Sequence, residues 1–172
     1  MSDTTTIDLC LFLLRSVVGA VMLAHGINHI IGGGKIEGTA GWFASLGMRP
    51  GKLHAWLASI TEIVCGVLLV LGLLTSLAAA GALGVMVVAW LINHRGNGFF
   101  TFRPGEGWEY VMVLSAISLV IGGLGAGGWS IDDAAGLDLF VGASGLAVTA
   151  GVGLGGAALL LAVFWRPKAQ DD

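Results

Sequence analysis

The stretch "LHAWLASITEIVCGVLLVLGLLTSLAAAGALGVMVVAWLIN" (residues 53–93) decides how this chain is built. It reads as two apolar runs, 53–74 and 77–93, parted only by Thr75-Ser76. Each approaches the roughly 20 residues that a helix needs to cross a bilayer. Two polar residues between them leave room only for a sharp reversal, so the pair reads as an antiparallel transmembrane hairpin. Neither run carries a Lys or an Arg, and the one acid in either is Glu62.

Outward from this hairpin the same texture continues. Further apolar runs cover about 7–31, 109–127 and 139–165. The chain is 172 residues long, 56% hydrophobic and 11% charged, with a mean hydropathy of +0.89. Soluble domains carry roughly 25% charged residues, so an integral membrane protein is expected. The fold expected is all-α: an antiparallel transmembrane four-helix bundle over residues 1–136, then a fifth, Gly-rich transmembrane helix with a short tail over 137–172. Residues 32–52, joining the first two spans, contain "GTAGWFASLGM" with Trp42, Phe43 and Leu46 near helical spacing. That spacing fits a short amphipathic or re-entrant helix at the membrane surface, and a plain loop is the competing reading.

Charge gives an orientation. Lys35, Arg49, Lys52, Arg95, Arg103, Arg166 and Lys168 all fall on one side of a five-span topology. The other side has none, and its 128–138 loop carries Asp132, Asp133 and Asp138. By the positive-inside rule the N-terminus is expected outside and the C-terminus in the cytoplasm of a bacterial or archaeal cell membrane. Trp56, Trp90, Trp108 and Trp165 fall near the cytoplasmic boundary, as an aromatic belt does. The run 7–31 has no basic leader and ends in glycines, which does not fit a signal peptide. A net charge of −3 with no basic cluster gives no reason to expect nucleic acid. Cys10 and Cys65 make no CxxC pair and read as ordinary buried residues.

Ionisable side chains inside a span are costly, and point to function by default. Arg15, His25 and His29 lie in the first run and Glu62 in the second, while His94 closes the third and Glu109 opens the fourth. At 1.5 Å per residue, His25 is about 9 Å and Glu62 about 13 Å from the cytoplasmic boundary. Arg15 is only about 10 Å from the outer face, close enough to snorkel into the headgroups. On the second helix Ala55, Ala58, Ser59, Glu62, Cys65 and Gly66 share a small-residue face, opposite Leu57, Ile60, Val64, Leu68 and Leu71. On the first, Arg15, Gly19, Met22, Gly26 and His29 form a matching stripe with His25 beside it. Small faces allow helices to approach closely in lipid, so the histidines are expected to look into the bundle at the depth of Glu62. A buried carboxyl beside an imidazole can exchange protons, which suits a quinone headgroup that takes up protons with electrons. The bland alternative is that the two satisfy each other and fix the helix register. His25, His29, Glu62 and His94 are also acceptable zinc or iron ligands, or axial haem ligands for the histidines. There is no HExxH, and metal or haem is not the expected occupant.

The last run, "GASGLAVTAGVGLGGAALLLAVFW", holds Gly151 and Gly155 in a GxxxG pair. Such a pair permits close packing on another helix, in this chain or another. No internal repeat or broken helix pair supports a transporter.

Four ordered motifs together resemble the DoxX family of small membrane proteins. They are "LAHGINHIIGGG" closing the first helix, "GTAGWFASLGM" before "RPGK", "ASITEIVCGVLLVLGLLT", and "NHRGNGFFTFRPGEGWEYVMVL" leading into the fourth helix. The residues at motif positions are His25, Gly26, Glu62, Asn97, Gly98, Glu109 and Tyr110. The resemblance implies a four-helix core and a link to quinone-dependent oxidation or to membrane complexes that handle oxidative stress. Taken with the residues, it leads to a quinone-linked membrane subunit with a polar intramembrane pocket for a quinone headgroup or small lipophilic ligand. Glu62 is expected to exchange protons with His25 as its partner, and His29, His94, Asn97, Glu109 and Tyr110 are expected to contact the ligand. The rival is a non-catalytic subunit that anchors or stabilises a larger respiratory or oxidative-stress complex, since no complete catalytic set is present. Quinone is the candidate cofactor, and the bilayer and other membrane subunits are the expected partners.

Overall fold

The computed structural model describes residues 3–137 and 139–167. Asp138 and Lys168, both used in the charge comparison, lie outside the described residues. The elements are α1 (Asp3–Ile31), α2 (Lys35–Ser45), α3 (Gly51–Leu71), α4 (Thr75–Ala89) running on into a π-helical turn (Trp90–His94), α5 (Glu109–Leu124), the short α6 (Ile131–Ala134) and α7 (Ala143–Phe164). Four of these are long and apolar enough to cross a membrane: α1, α3, α4 with its π turn, and α7. The chain is a multi-pass membrane protein. The shorter apolar helix is α5, at 16 residues, or about 24 Å, rather than the 109–127 run read from the sequence.

The α3–α4 hairpin turns at Gly72–Leu74, slightly upstream of the Thr75-Ser76 reversal expected. The cause is local. Gly72 adopts a left-handed φ of +65°, and the amides of Gly72 and Leu73 reach back to the carbonyls of Leu69 and Leu68 in a helix-ending Schellman arrangement. A Cβ at Gly72 would also lie 2.6 Å from Nη1 of Arg15. Thr75 and Ser76 then become the first turn of α4. Its cap comes from far along the chain: the Asp132 carboxylate accepts from the amides of Leu74 and Thr75 and from the Thr75 hydroxyl, at 2.8–2.9 Å.

Small residues decide which helices touch. Gly19 and Gly66 face each other across α1 and α3, where a Cβ at either would come within 2.8 Å of the other helix's backbone oxygen. Gly26 rests on the Ser59 carbonyl and Cβ of Glu62. The opposite face of α3, with Leu57, Ile60, Val64 and Leu71, is exposed, as a lipid-facing surface is. The core between α1, α3, α4 and α5 is built from Val18, Met22, Leu69, Ala79, Met86 and Ile121.

The last helix, α7, packs on α4 and α5 through Gly145, Thr149, Gly153, Ala157 and Leu161. A Cβ at Gly153 would approach the Ala80 carbonyl oxygen to 2.8 Å. Gly151 and Gly155, singled out from the sequence, are on the other face, with nothing within 4 Å of where a Cβ would lie. The intrachain contact therefore uses a neighbouring small-residue register.

Arg15 does not snorkel. It is fully buried, and its guanidinium donates from Nε to Ala126 O (2.9 Å), from Nη1 to Leu69 O (2.8 Å) and from Nη2 to Trp129 O (2.8 Å). The residues 32–52 are not a plain loop: α2 buries Ala40 and Phe43 against α3 and leaves Trp42 exposed. Beyond it, the backbone of Arg49 donates to Phe164, the backbone of Arg166 donates to Gly47, and Trp165 Nε1 donates to Leu46 O at 3.0 Å. The end of α7 thus latches onto the turn between α2 and α3.

Candidate functional site

At the bundle end where α1 finishes and α3 begins, the helices line a half-open cavity of about 420 Å³. Its polar lining comes from four helices and one loop. His25 and His29 come from α1, His54 and Glu62 from α3, Asn93 and His94 from the π turn, Tyr110 from α5, and Glu106 from the loop before α5. Trp42, Phe43 and Met48 add an apolar wall from α2 and the turn after it.

Each position follows from local packing. Gly26 lets α1 settle onto α3 at Ser59 and Glu62. Three residues on, nearly a full turn, His29 stays on that side of the helix. Its Nδ1 lies 3.5 Å from Oε2 of Glu62. The sequence reading gave this place to His25. The structure instead sets His25 on a more exposed line, with its ring 6.0 Å from that of Tyr110.

His54 was not foreseen. It stands two turns before Glu62 on the same face of α3, with its ring 5.1 Å from Phe164 and 6.4 Å from Phe43. The signal was the i, i+4, i+8 line His54–Ala58–Glu62, which begins one residue before the small face that was read.

The π turn matters because one wide turn rotates the residues that follow it, and such bulges gather at functional sites. Here it brings Asn93 and His94 to the cavity. Nδ1 of His94 is 2.9 Å from the Glu106 carbonyl. Since a carbonyl only accepts, Nδ1 carries the proton, and Nε2 faces the Asn93 amide at 3.4 Å.

Two expected contacts are engaged elsewhere. Asn97 donates to the carbonyls of Asn93, Gly105 and Glu106, holding the loop before α5 in shape. Glu109 accepts from the Thr101 amide at 2.9 Å. Both brace the segment that presents His94, Glu106 and Tyr110, and neither lines the cavity.

The electrostatics of this end are unusual for a bundle interior. Nδ1 of His29, Oε2 of Glu62 and Nε2 of His54 are buried and make no hydrogen bond. At 3.5 Å the His29–Glu62 contact is an ion-pair distance without hydrogen-bond geometry. A buried polar atom left unpaired costs about 1–3 kcal/mol, and the great majority in folded proteins have partners. Three in one cavity can serve a ligand that offers both donors and acceptors. Among the described residues, no three His, Cys, Asp or Glu side chains gather as a metal site.

Comparison with known proteins follows the same region. A DoxX family model matches residues 10–95, from α1 through the π turn. An uncharacterized membrane protein of Mycobacterium tuberculosis is 32% identical over 129 residues, covering 69% of this chain and 77% of the relative. No solved structure matches. A match over half the chain, with a relative aligned over most of its own length, establishes the kinship that the motifs indicated: this chain belongs to the DoxX family.

Proposed function

We propose that this DoxX protein binds the headgroup of a membrane quinone, or a small lipophilic ligand of similar polarity, in the cavity at the histidine end. The observation that carries the reading is the group of three buried, unpartnered polar atoms on His29, Glu62 and His54, all lining one cavity. Quinone carbonyls accept hydrogen bonds and quinol hydroxyls donate them, so imidazole and carboxyl groups can meet either form. Glu62 is the proton-exchanging group, and His29 takes the partner role first given to His25. His25, Tyr110 and His94 stand around the ligand's ring. By this reading the chain is a subunit linked to quinone-dependent redox chemistry, with its N-terminus outside and its C-terminus in the cytoplasm.

The test is solvent extraction of detergent-purified protein, with quinone quantified per chain for wild type and Glu62→Gln. Near-stoichiometric quinone in wild type, lost in the folded variant, is the expected result. No quinone in folded protein of either kind sinks the reading.

A second reading, an accessory subunit that anchors a larger membrane complex, draws on a separate observation. Gly151 and Gly155 are exposed on α7, and among the described residues nothing outside their own helix lies within 4 Å of where a Cβ at either would be. Such a subunit would co-purify with a stoichiometric partner and carry no ligand.

A further inference from the structure

The cavity does not end at its polar groups. Along α4 its lining runs from Ile92 back to Ala80, a length of about 18 Å at 1.5 Å per residue. A bilayer's hydrocarbon core is about 30 Å thick, so this stretch reaches from the polar end roughly to the mid-plane. The floor is made of the small residues Ala80, Gly81 and Gly84 of α4, with Thr61 of α3 on one side and Val152 and Gly156 of α7 on the other. At the histidine end α3 and α7 meet, His54 against Phe164. Farther in, both pack on α4, and the α7 wall is open to the surroundings: Val152 is 54% exposed. Gly156 is exposed too, with nothing within 4 Å of where a Cβ would lie.

Two features select the occupant. The apolar trough is continuous with the polar head site and about one leaflet deep, the dimensions of a single hydrocarbon tail attached to a head. Among the described residues the lining also contains no Lys or Arg, and its ionisable groups are the acids Glu62 and Glu106, four histidines and Tyr110. A phosphate head is favoured by Arg and Lys and repelled by the two acids here, so an uncharged head suits the site better than a phospholipid.

We propose that the trough holds the tail of a quinone that enters sideways from the bilayer between α3 and α7, and that Gly156 keeps this entrance open. This rests on reading the histidine end as the headgroup site.

The experiment uses two benzoquinones with the same ring, one with a decyl tail and one without. Binding to full-length protein in nanodiscs is read by quenching of tryptophan fluorescence, with Trp42 in the cavity wall as reporter. Probe concentrations are expressed per lipid volume, and folding is checked by melting temperature. In wild type the decyl probe should bind at least tenfold more tightly than the tail-less one. Gly156→Leu, which adds its side chain into open space, should abolish that difference and leave the tail-less probe's affinity unchanged. Val152→Trp on the same wall should do likewise, and decides the matter if Gly156→Leu does not fold. A tailed probe that binds both folded variants as it binds wild type overturns the tail assignment and leaves the head site standing. Equal weakening of both probes also overturns it. If neither probe binds folded wild type, the headgroup reading falls and the trough assignment with it.

Discussion

Arg15 at one end of the bundle and Glu62 at the other are both buried ionisable groups in apolar helices, and they differ in what surrounds them. Arg15 has a carbonyl for each guanidinium nitrogen: Leu69 comes from α3, and Ala126 and Trp129 come from the loop between α5 and α6. The nearby Asp132 is likewise used up, holding the start of α4 through three hydrogen bonds. Glu62 and His54 are buried and His29 is half-buried, yet each keeps a buried polar atom without a hydrogen bond. A saturated cluster holds helices together, and an unsaturated one has capacity left for something else. The cost of burying polarity is met within the fold in the first case, and in the second the fold leaves it unmet, which is the opening for the proposed ligand.

That contrast can be broken in order of expected effect. Arg15→Met takes a donor from four carbonyls, those of Leu69, Val70, Ala126 and Trp129, and should cost about 3–5 kcal/mol, the range for dismantling a buried charged network. In a chain of this size that lowers the melting temperature in detergent by on the order of 10 °C. A melt within about 2 °C of wild type would mean that Arg15 is not a structural tie. Asp132→Ala should cost about 2–3 kcal/mol through the lost cap and its charged hydrogen bonds. The accompanying sign is faster amide exchange at Leu74 and Thr75, and unchanged exchange there would count against the cap.

Glu62→Gln belongs to the other kind of cluster. It should change the stability of ligand-free protein by no more than about 1 kcal/mol while weakening quinone binding at least tenfold, or about 1.4 kcal/mol. Should it unfold the protein as Arg15→Met does, the two ends of the bundle are the same kind of structure and the contrast is lost. The smallest effect sharpens the picture on α7. Gly151→Leu, on a bare face, should leave stability unchanged or raise it by up to about 1 kcal/mol through helix propensity, whereas Gly153→Leu, against Ala80 and Leu83, should overpack and destabilise by about 1–3 kcal/mol. Matching melts for the two variants would show that α7 does not sit on α4 as described.

The parts of this fold that were legible are those set by nearest neighbours on one helix. The stripe Arg15–Gly19–Met22–Gly26 and the face Ala55–Ser59–Glu62–Gly66 are periodic patterns, and α1 meets α3 along them. What was not legible depends on partners distant in sequence. Nothing local to Arg15 announces that residues 126 and 129 will supply carbonyls, so a side chain near a membrane face reads as one that reaches outward. On α7, small residues recur at about every fourth position in two registers, 145–149–153–157 and 151–155, and spacing alone cannot choose between them. The tight approach of Gly153 to α4 chooses. At the polar cavity, His25, His29, Glu62 and His94 were legible as polar groups, while His54 and the pairing were not. His25 and His29 are a turn apart, and which one meets Glu62 depends on the rotation that Gly26 imposes when it settles onto α3.

The latch between α7 and the turn after α2 carries a consequence for how the protein is made. Trp165 and its acceptor Leu46 are 119 residues apart, and a ribosome adds roughly 5–20 residues per second. The turn that helps wall the cavity therefore waits on the order of 6–24 s after its own synthesis for the segment that fastens it. During that interval α1 and α3 can already be paired through their glycines, with His29 and Glu62 together, while the wall carrying Phe43 and Met48 has yet to be fastened. The site is thus completed only once α7 has been made, and a chain that stops short of residue 165 would carry the chemical groups of the pocket without the fastening of its wall.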